Sequence, residues 1–279
     1  MFPERLTFSI ADWVNAWVDA LVTNYGDLFR KISDTLLWAI VNLEGLLRAT
    51  PWWLLLAIAW HATRRLLPTL VITGLLFLVG AVGLWDKLMQ TLALMLVATF
   101  ISVLIGIPLG ILAARSNRLR AVLMPLLDIM QTMPSFVYLI PVLMLFGLGK
   151  VPAIFATVIY AAPPLIRLTD LGIRQVDSEV MEAVNAFGAN RWQQLFGVQL
   201  PLALPSIMAG INQTTMMALS MVVIASMIGA RGLGEDVLVG IQTLNVGKGL
   251  EAGLAIVILA VVIDRITQAY GRSRHETSK

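Results

Sequence analysis

The chain has 279 residues, of which 58% are hydrophobic and only 13% charged, and its formal net charge is +3. A soluble domain of this size carries about 25% charged residues, so this composition, with a mean hydropathy of +0.82, excludes an ordinary soluble fold. There are no cysteines and only two histidines, His61 and His275, neither with a neighbouring ligand cluster. Disulfide, thiolate and clustered-metal chemistry are thereby set aside.

The apolar residues are gathered into long runs. Leu66 to Trp85, Leu88 to Ala114 and Ile129 to Gly149 contain no charge. Each is long enough to cross a hydrocarbon core of about 30 Å at about 1.5 Å per residue. The N-terminus places Glu4, Asp12 and Asp19 among tryptophans and has no basic start followed by an apolar core, so it does not read as a cleavable signal.

Taken in chain order, residues 9–50 stand apart. Ile10, Trp13, Val14, Trp17 and Leu21 recur at helical spacing, with Asp12, Asn15 and Asp19 on the other face, and Ser9 with Asp12 forms a weak capping box. A second mixed stretch runs from Leu28 to Leu47. Six of the eight tryptophans precede residue 61, and tryptophan favours the headgroup level. Two amphipathic helices follow from this, lying on the membrane surface or packed on the flank of the spans.

The predicted spans are a short one at 52–62, then 66–84, 88–113, 122–147, 151–172, 203–228 and 250–268. Pro134 and Pro141 in the fourth, and Pro163 and Pro164 in the fifth, predict kinks or breaks. Basic residues alternate between loops. Arg64 and Arg65, Arg115, Arg118 and Arg120, Arg167, Arg174 and Arg191, and Arg265, Arg272, Arg274 and Lys279 make up twelve of the twenty Lys and Arg residues. The opposite loops hold Lys87, Lys150, Arg231 and Lys248. Basic loops stay cytoplasmic, which predicts an outer N-terminus and a cytoplasmic C-terminus. No repeat of 20–50 residues and no inverted pair of halves is visible, which argues against a secondary transporter.

The loop after the fifth span is the most informative segment. Asp177 to Ala186 reads as a short helix with acids at its start, and Gly188 permits a sharp turn. Arg191 to Leu195 reads as a second short helix, and Pro201 as the restart of the chain into the next span. Phe187, Trp192, Leu195 and Phe196 add bulky apolar groups to a loop otherwise kept small by Ala183, Val184 and Ala186.

This loop resembles the EAA motif of ATP-binding cassette (ABC) importer permeases: Glu-Ala-Ala, three residues, Gly, nine residues, Ile-x-Leu-Pro. Glu182, Ala183, Gly188, Leu200 and Pro201 match, and Val184 and Val198 are conservative replacements at unchanged spacing. The stretches 131–139, 162–168, 221–228, 232–234 and 263–268 are similar to permeases for glycine betaine, choline, carnitine and related quaternary ammonium compounds. That resemblance implies an all-α, type I importer transmembrane domain of about six or seven spans in the bacterial cytoplasmic (inner) membrane. It divides the chain into 1–63 (surface helices and the first short span), 64–271 (the permease domain, with a coupling loop at about 177–201) and 272–279 (a polar tail). It also implies cytoplasmic ABC ATPase subunits docking on the loop, a homodimer of permeases, a separate extracytoplasmic binding protein, and a role in osmoprotection or amino-acid transport. No cofactor and no nucleic acid enters this reading.

The chain lacks the nucleotide-binding pattern G-x-x-x-x-G-K-[ST], since Gly147-Leu148-Gly149-Lys150 has the wrong spacing. It is therefore read as a non-enzyme energised from elsewhere. Asp128 lies about 12 Å into the fourth span, and a pairing with Arg167 or Arg120 makes it structural rather than functional. In the sixth span Asn212, Gln213, Thr214, Thr215 and Ser220 alternate with Met216, Met217 and Met221. Asn212, Thr215, Met216 and Ser220 are the candidate translocation path; hydrogen-bonded helix packing is the other reading of the same residues. The aromatic cage that quaternary ammonium groups require is assigned to the external protein. The glycine-punctuated loop 229–249 and the N-terminal segment are candidate docking sites for it. A permease for another small solute, an ATPase-independent secondary transporter or channel, an intramembrane enzyme and a membrane scaffold complete the alternatives.

Overall fold

The computed structural model describes residues 11–50, 60 and 66–276, and among these the regular structure is entirely helical. The expected short span at 52–62 and the cap at Ser9 lie outside the described residues.

Helix α1 runs unbroken from Ala11–Ala49, one helix where the sequence predicted two. Gly26 sits at the expected junction with open space around it. A lone glycine weakens a helix by about 1 kcal/mol but does not end it without a left-handed cap or a following proline. The C-terminal half of α1 packs inward through Ile40 and Glu44, while Trp13, Trp17 and Trp38 remain exposed.

Helix α2 (Leu66–Ala81) is apolar but only 16 residues long. Helix α3 (Trp85–Arg115) is a long apolar span. After the Ser116 cap, α4 (Asn117–Thr132) and a single turn at Ser135–Tyr138 leading into α5 (Leu139–Phe146) replace the predicted continuous fourth span. The two halves meet at 111°. Met133 is extended, at φ −70° and ψ 136°, because the residue before a proline is driven out of the helical region. Pro134 also has no N–H for the Met130 carbonyl four residues back, and the Tyr138 hydroxyl donates to that carbonyl instead. Pro141 falls in the first turn of α5, where an N–H is not needed, and causes no second break.

Helix α6 (Lys150–Arg174) is continuous through Pro163 and Pro164, so no break occurs there. Its most apolar stretch is 72% buried, against 28–44% for the other three long spans, and this enclosure holds the backbone where proline removes its own bonds. Helices α7 (Ser178–Ala186) and α8 (Arg191–Gln194) form an elbow. A wider helical turn at Leu195–Gln199 then merges into α9 (Leu200–Ala225). Another wide turn at Ser226–Ala230 precedes α10 (Leu233–Gln242), and α11 (Val246–Glu276) closes the chain. The loop predicted at 229–249 thus contains a helix.

The centre of the molecule is α6 packed between α3 and α9. Small residues permit the approach. A Cβ at Gly110 on α3 would lie 2.5 Å from Thr169 Cβ, one at Gly172 on α6 would lie 2.7 Å from Ser206 Cβ, and one at Gly210 on α9 would lie 3.0 Å from Leu165 Cδ1. Gly106 and Gly110 are spaced as the small-xxx-small pair that brings membrane helices together. Gly110→Val is expected to lower stability by about 1–3 kcal/mol through overpacking. Thermal unfolding in detergent measures it, with Gly26→Ala, which meets nothing within 4 Å, as the tolerated control.

Candidate functional site

The elbow is built by local bonds. Asp177 caps α7, its Oδ1 accepting the Glu179 N–H at 2.8 Å, and Glu179 supplies the acid at the positive end of the helix. Gly188 ends α7 at φ +73°. Its N–H donates to the Asn185 carbonyl at 2.9 Å, and the Ala189 N–H donates to the Val184 carbonyl at 3.3 Å. This paired pattern is the left-handed glycine stop. Two residues on, Asn190 Oδ1 accepts the Trp192 and Gln193 N–H groups at 3.0 and 2.9 Å, while Gln193 Oε1 accepts the Asn190 N–H at 2.8 Å. Gln194 Nε2 ties the two short helices together by donating to Asn185 Oδ1 at 2.7 Å and the Ala189 carbonyl at 2.8 Å.

The surface of this unit is unoccupied. Helix α7 buries no residue; Glu182, Ala183 and Gly188 are exposed, Val184 is half-buried, and Phe187 is 92% exposed. Glu182 makes no hydrogen bond or ion pair among the described residues. Leu195 plugs into the core beside Leu165 and Ile173. Val198 and Leu200 are half-buried in the stem leading to α9, and Pro201 is exposed. One expectation changes here: the second short helix ends at Gln194 rather than Leu195. Pro201 stands in the first turn of α9, where its missing N–H is least needed. The Leu200 N–H reaches five residues back to Leu195, so the chain passes through a widened turn into the span without a break.

Beside the elbow, the ends of α3, α4 and α6 nearest to it are joined by charge. Asp170 is buried and accepts from Arg120 Nε at 3.0 Å and Arg174 Nε at 2.8 Å. Arg174 Nη2 also donates to the Ala113 carbonyl and to Asn117 Oδ1, each at 2.9 Å. Asp128 pairs with Arg167 and is 64% exposed, one of the two pairings the sequence offered. Asp170 was not legible as the buried member. The i,i+4 spacing to Arg174 is visible, but Arg120 lies 50 residues away.

Helix α9 divides the predicted path residues between two faces. Thr214 and Thr215 are buried, donating to the Ala161 and Ile211 carbonyls at 2.8 and 2.7 Å. Asn212 is held by α11: its Nδ2 donates to Asp264 Oδ1 at 3.2 Å and its Oδ1 accepts from Thr267 Oγ1 at 2.5 Å. Gln268 Nε2 donates to both oxygens of Asp264, at 2.8 and 2.7 Å. Met221 is buried, whereas Gln213 and Ser220 are exposed and Met216 and Met217 are half-buried. Gln213, Met216 and Ser220 therefore share an outward face, and Asn212 and Thr215 do not.

At the opposite ends of the helices the sparse charges are paired. Asp236, buried on α10, takes Lys87 Nζ at 2.6 Å and Lys248 Nζ at 3.5 Å. Glu44 of α1 binds Lys150 and, at 2.8 Å, Arg48. Thr91 Oγ1 accepts the Leu233 N–H at 3.0 Å beside Gly232, where a Cβ would come within 2.6 Å of that oxygen.

Comparison with known proteins gives concordant matches. The profile of the family described as "Binding-protein-dependent transport system inner membrane component" matches residues 106–275. The chain is 47% identical to the glycine betaine/proline betaine transport system permease protein ProW of Escherichia coli (strain K12), over 96% of this chain and 77% of that one. It is 45% identical to the glycine betaine transport system permease protein OpuAB of Bacillus subtilis (strain 168), over 93% of each. To the glycine betaine/carnitine transport permease protein GbuB of Listeria monocytogenes it is 43% identical, over 97% of this chain and 98% of that one. In fold it is similar to a chain of the inward-facing MetNI methionine ABC transporter, with a TM-score of 0.61 at 24% identity, covering 66% of this chain and 92% of that one.

Asp170→Asn is expected to lower stability by on the order of 2 kcal/mol, since it weakens charge-assisted bonds to two partly exposed arginines. Asp128→Asn, at an exposed pair, is expected to change it by less than about 1 kcal/mol. Thermal unfolding of the two variants side by side checks the ranking.

Proposed function

Because the chain belongs to the family of binding-protein-dependent transport system inner membrane components, we propose that its cargo is glycine betaine and chemically related quaternary ammonium compounds. The chain is a multi-pass permease subunit of an ABC importer, served by separate ATPase and substrate-binding subunits. The observation that carries the cargo assignment is the 43–47% identity to three permeases whose names all specify glycine betaine.

Residues 177–201 are the coupling elbow in this reading, and its exposed Glu182, Ala183 and Phe187 meet the cytoplasmic ATPase. Its internal hydrogen bonds support this role, because a unit that holds its own shape passes on displacement rather than absorbing it. Two copies of the chain enclose one path, which opens alternately to the two sides of the membrane. The C-terminus is cytoplasmic, and residues 64–271 make the permease body. On α9 the path follows the outward face of Gln213, Met216 and Ser220. Asn212 and Thr215 serve helix packing, as the bonds of Asn212 to α11 and the burial of Thr215 support.

Two outcomes are expected. In proteoliposomes containing the permease, its ATPase and its binding protein, glycine betaine uptake is abolished by Gly188→Asp, which puts a side chain at φ +73°, while membrane insertion is retained. Normal uptake by that variant overturns the coupling role. Since the chain has no native cysteine, single cysteines report cleanly: Met216→Cys and Ser220→Cys react with a water-soluble maleimide in at least one transport state, and Thr214→Cys in none. Protection of all three in every state removes the lining assignment.

A further inference from the structure

We propose that Arg115 is the positioning residue that ties the coupling elbow to α3, so that displacement of the elbow moves α3, α6 and α9 together. The inference rests on the elbow's coupling role and names the side chain through which that role acts on the membrane helices.

Arg115 is the last residue of α3. Its Nη2 donates to the Arg191 carbonyl at 2.8 Å, and its guanidinium carbon lies 5.5 Å from the centre of the Trp192 ring. Trp192 in turn stacks on Phe196, with ring centres 5.7 Å apart and planes 11° from parallel. Among the described residues, this is the only side-chain hydrogen bond that enters the elbow from outside it. One planar guanidinium thus holds the main chain and an aromatic face at once.

The upstream stem of the elbow is fixed to the same place. Arg174 donates to the Ala113 carbonyl and to Asn117 Oδ1, one turn from Arg115. Both stems therefore converge on the corner at residues 113–117, and between them α7 projects with nothing buried. Force applied to α7 reaches this corner along two routes, and the Arg115 route is the non-covalent one. Trp192 is 65% exposed; a partner covering it removes water from the cation–aromatic contact and strengthens it. Docking and tightening of the link are thereby coupled.

The test is glycine betaine uptake per ATP hydrolysed in proteoliposomes holding the complete importer. Arg115→Ala is expected to leave ATPase co-purification and ATP hydrolysis in place and to lower uptake per ATP at least about fivefold. Trp192→Ala is expected to do the same, Trp192→Phe to restore coupling through its ring face, and the double Ala variant to be no worse than either single one. Trp192→Ala, on the exposed side of the contact, carries the test should Arg115→Ala fail to fold. An unchanged ratio, additive losses, or loss of ATPase co-purification overturns the proposal. Gly188→Asp in the same assay separates the two levels: if it transports normally, the elbow's coupling role fails; if it is inactive while Arg115→Ala keeps its ratio, only the Arg115 link fails.

Discussion

Helix α6 is enclosed by α3 and α9 at distances that only glycine allows, and the rest of the molecule is arranged around that contact. Gly110 at the α3 contact and Gly172 at the α9 contact leave no room for a Cβ, and at Gly106 and Gly210 one would press on Leu165 at 3.0 Å. In a bilayer, lipid tails are as apolar as leucine, so helices gain from one another mainly through close packing and satisfied polar groups. The buried hydroxyl of Thr214, bonded to the Ala161 carbonyl, adds such a group beside the Pro163–Pro164 pair. The same enclosure explains how two consecutive prolines sit inside an uninterrupted helix.

From this core the structure grades outward in rigidity. The α4–α5 joint is a true break, yet its freed carbonyl is satisfied by Tyr138. The elbow is a compact, self-bonded unit fastened at both stems. It presents three exposed aromatic groups, Phe187, Trp192 and Phe196, which support the proposed docking of another subunit there. Packing, capping and charge pairing thus converge on one function: a membrane helix bundle with a projecting handle.

Much of this was legible in the residues. The charge-free run from Leu88 to Ala114 located the long span α3, since length and hydropathy are local properties, whereas the runs at 66–85 and 129–149 fall on the shorter α2 and on the broken α4–α5 pair. Glycine at 188 announced the left-handed stop, and the acids before Glu182 announced the start of α7. The pairing of Asp128 with Arg167 was also within reach. Other features were not, because they are set by partners distant in sequence. The stretches before Leu21 and after Leu28 looked like two helices, but nothing between them, Gly26 included, compels a helix to end. Pro134 and Pro163 are the same residue type with opposite outcomes: the first meets an open joint, the second a closed sheath of neighbours. Likewise the bonds of Asn212 to Asp264 and Thr267 on α11 join residues more than 50 apart and were not visible from its own span.

The ion pair between Lys87 and Asp236 spans 149 residues of chain. At a synthesis rate of about 5–20 residues per second, Lys87 emerges roughly 7–30 s before its partner exists. Until then its ammonium group lacks the buried carboxylate that holds it in the finished fold. Completion of α10 then works as a late latch, and a nascent chain released before that point is left without it.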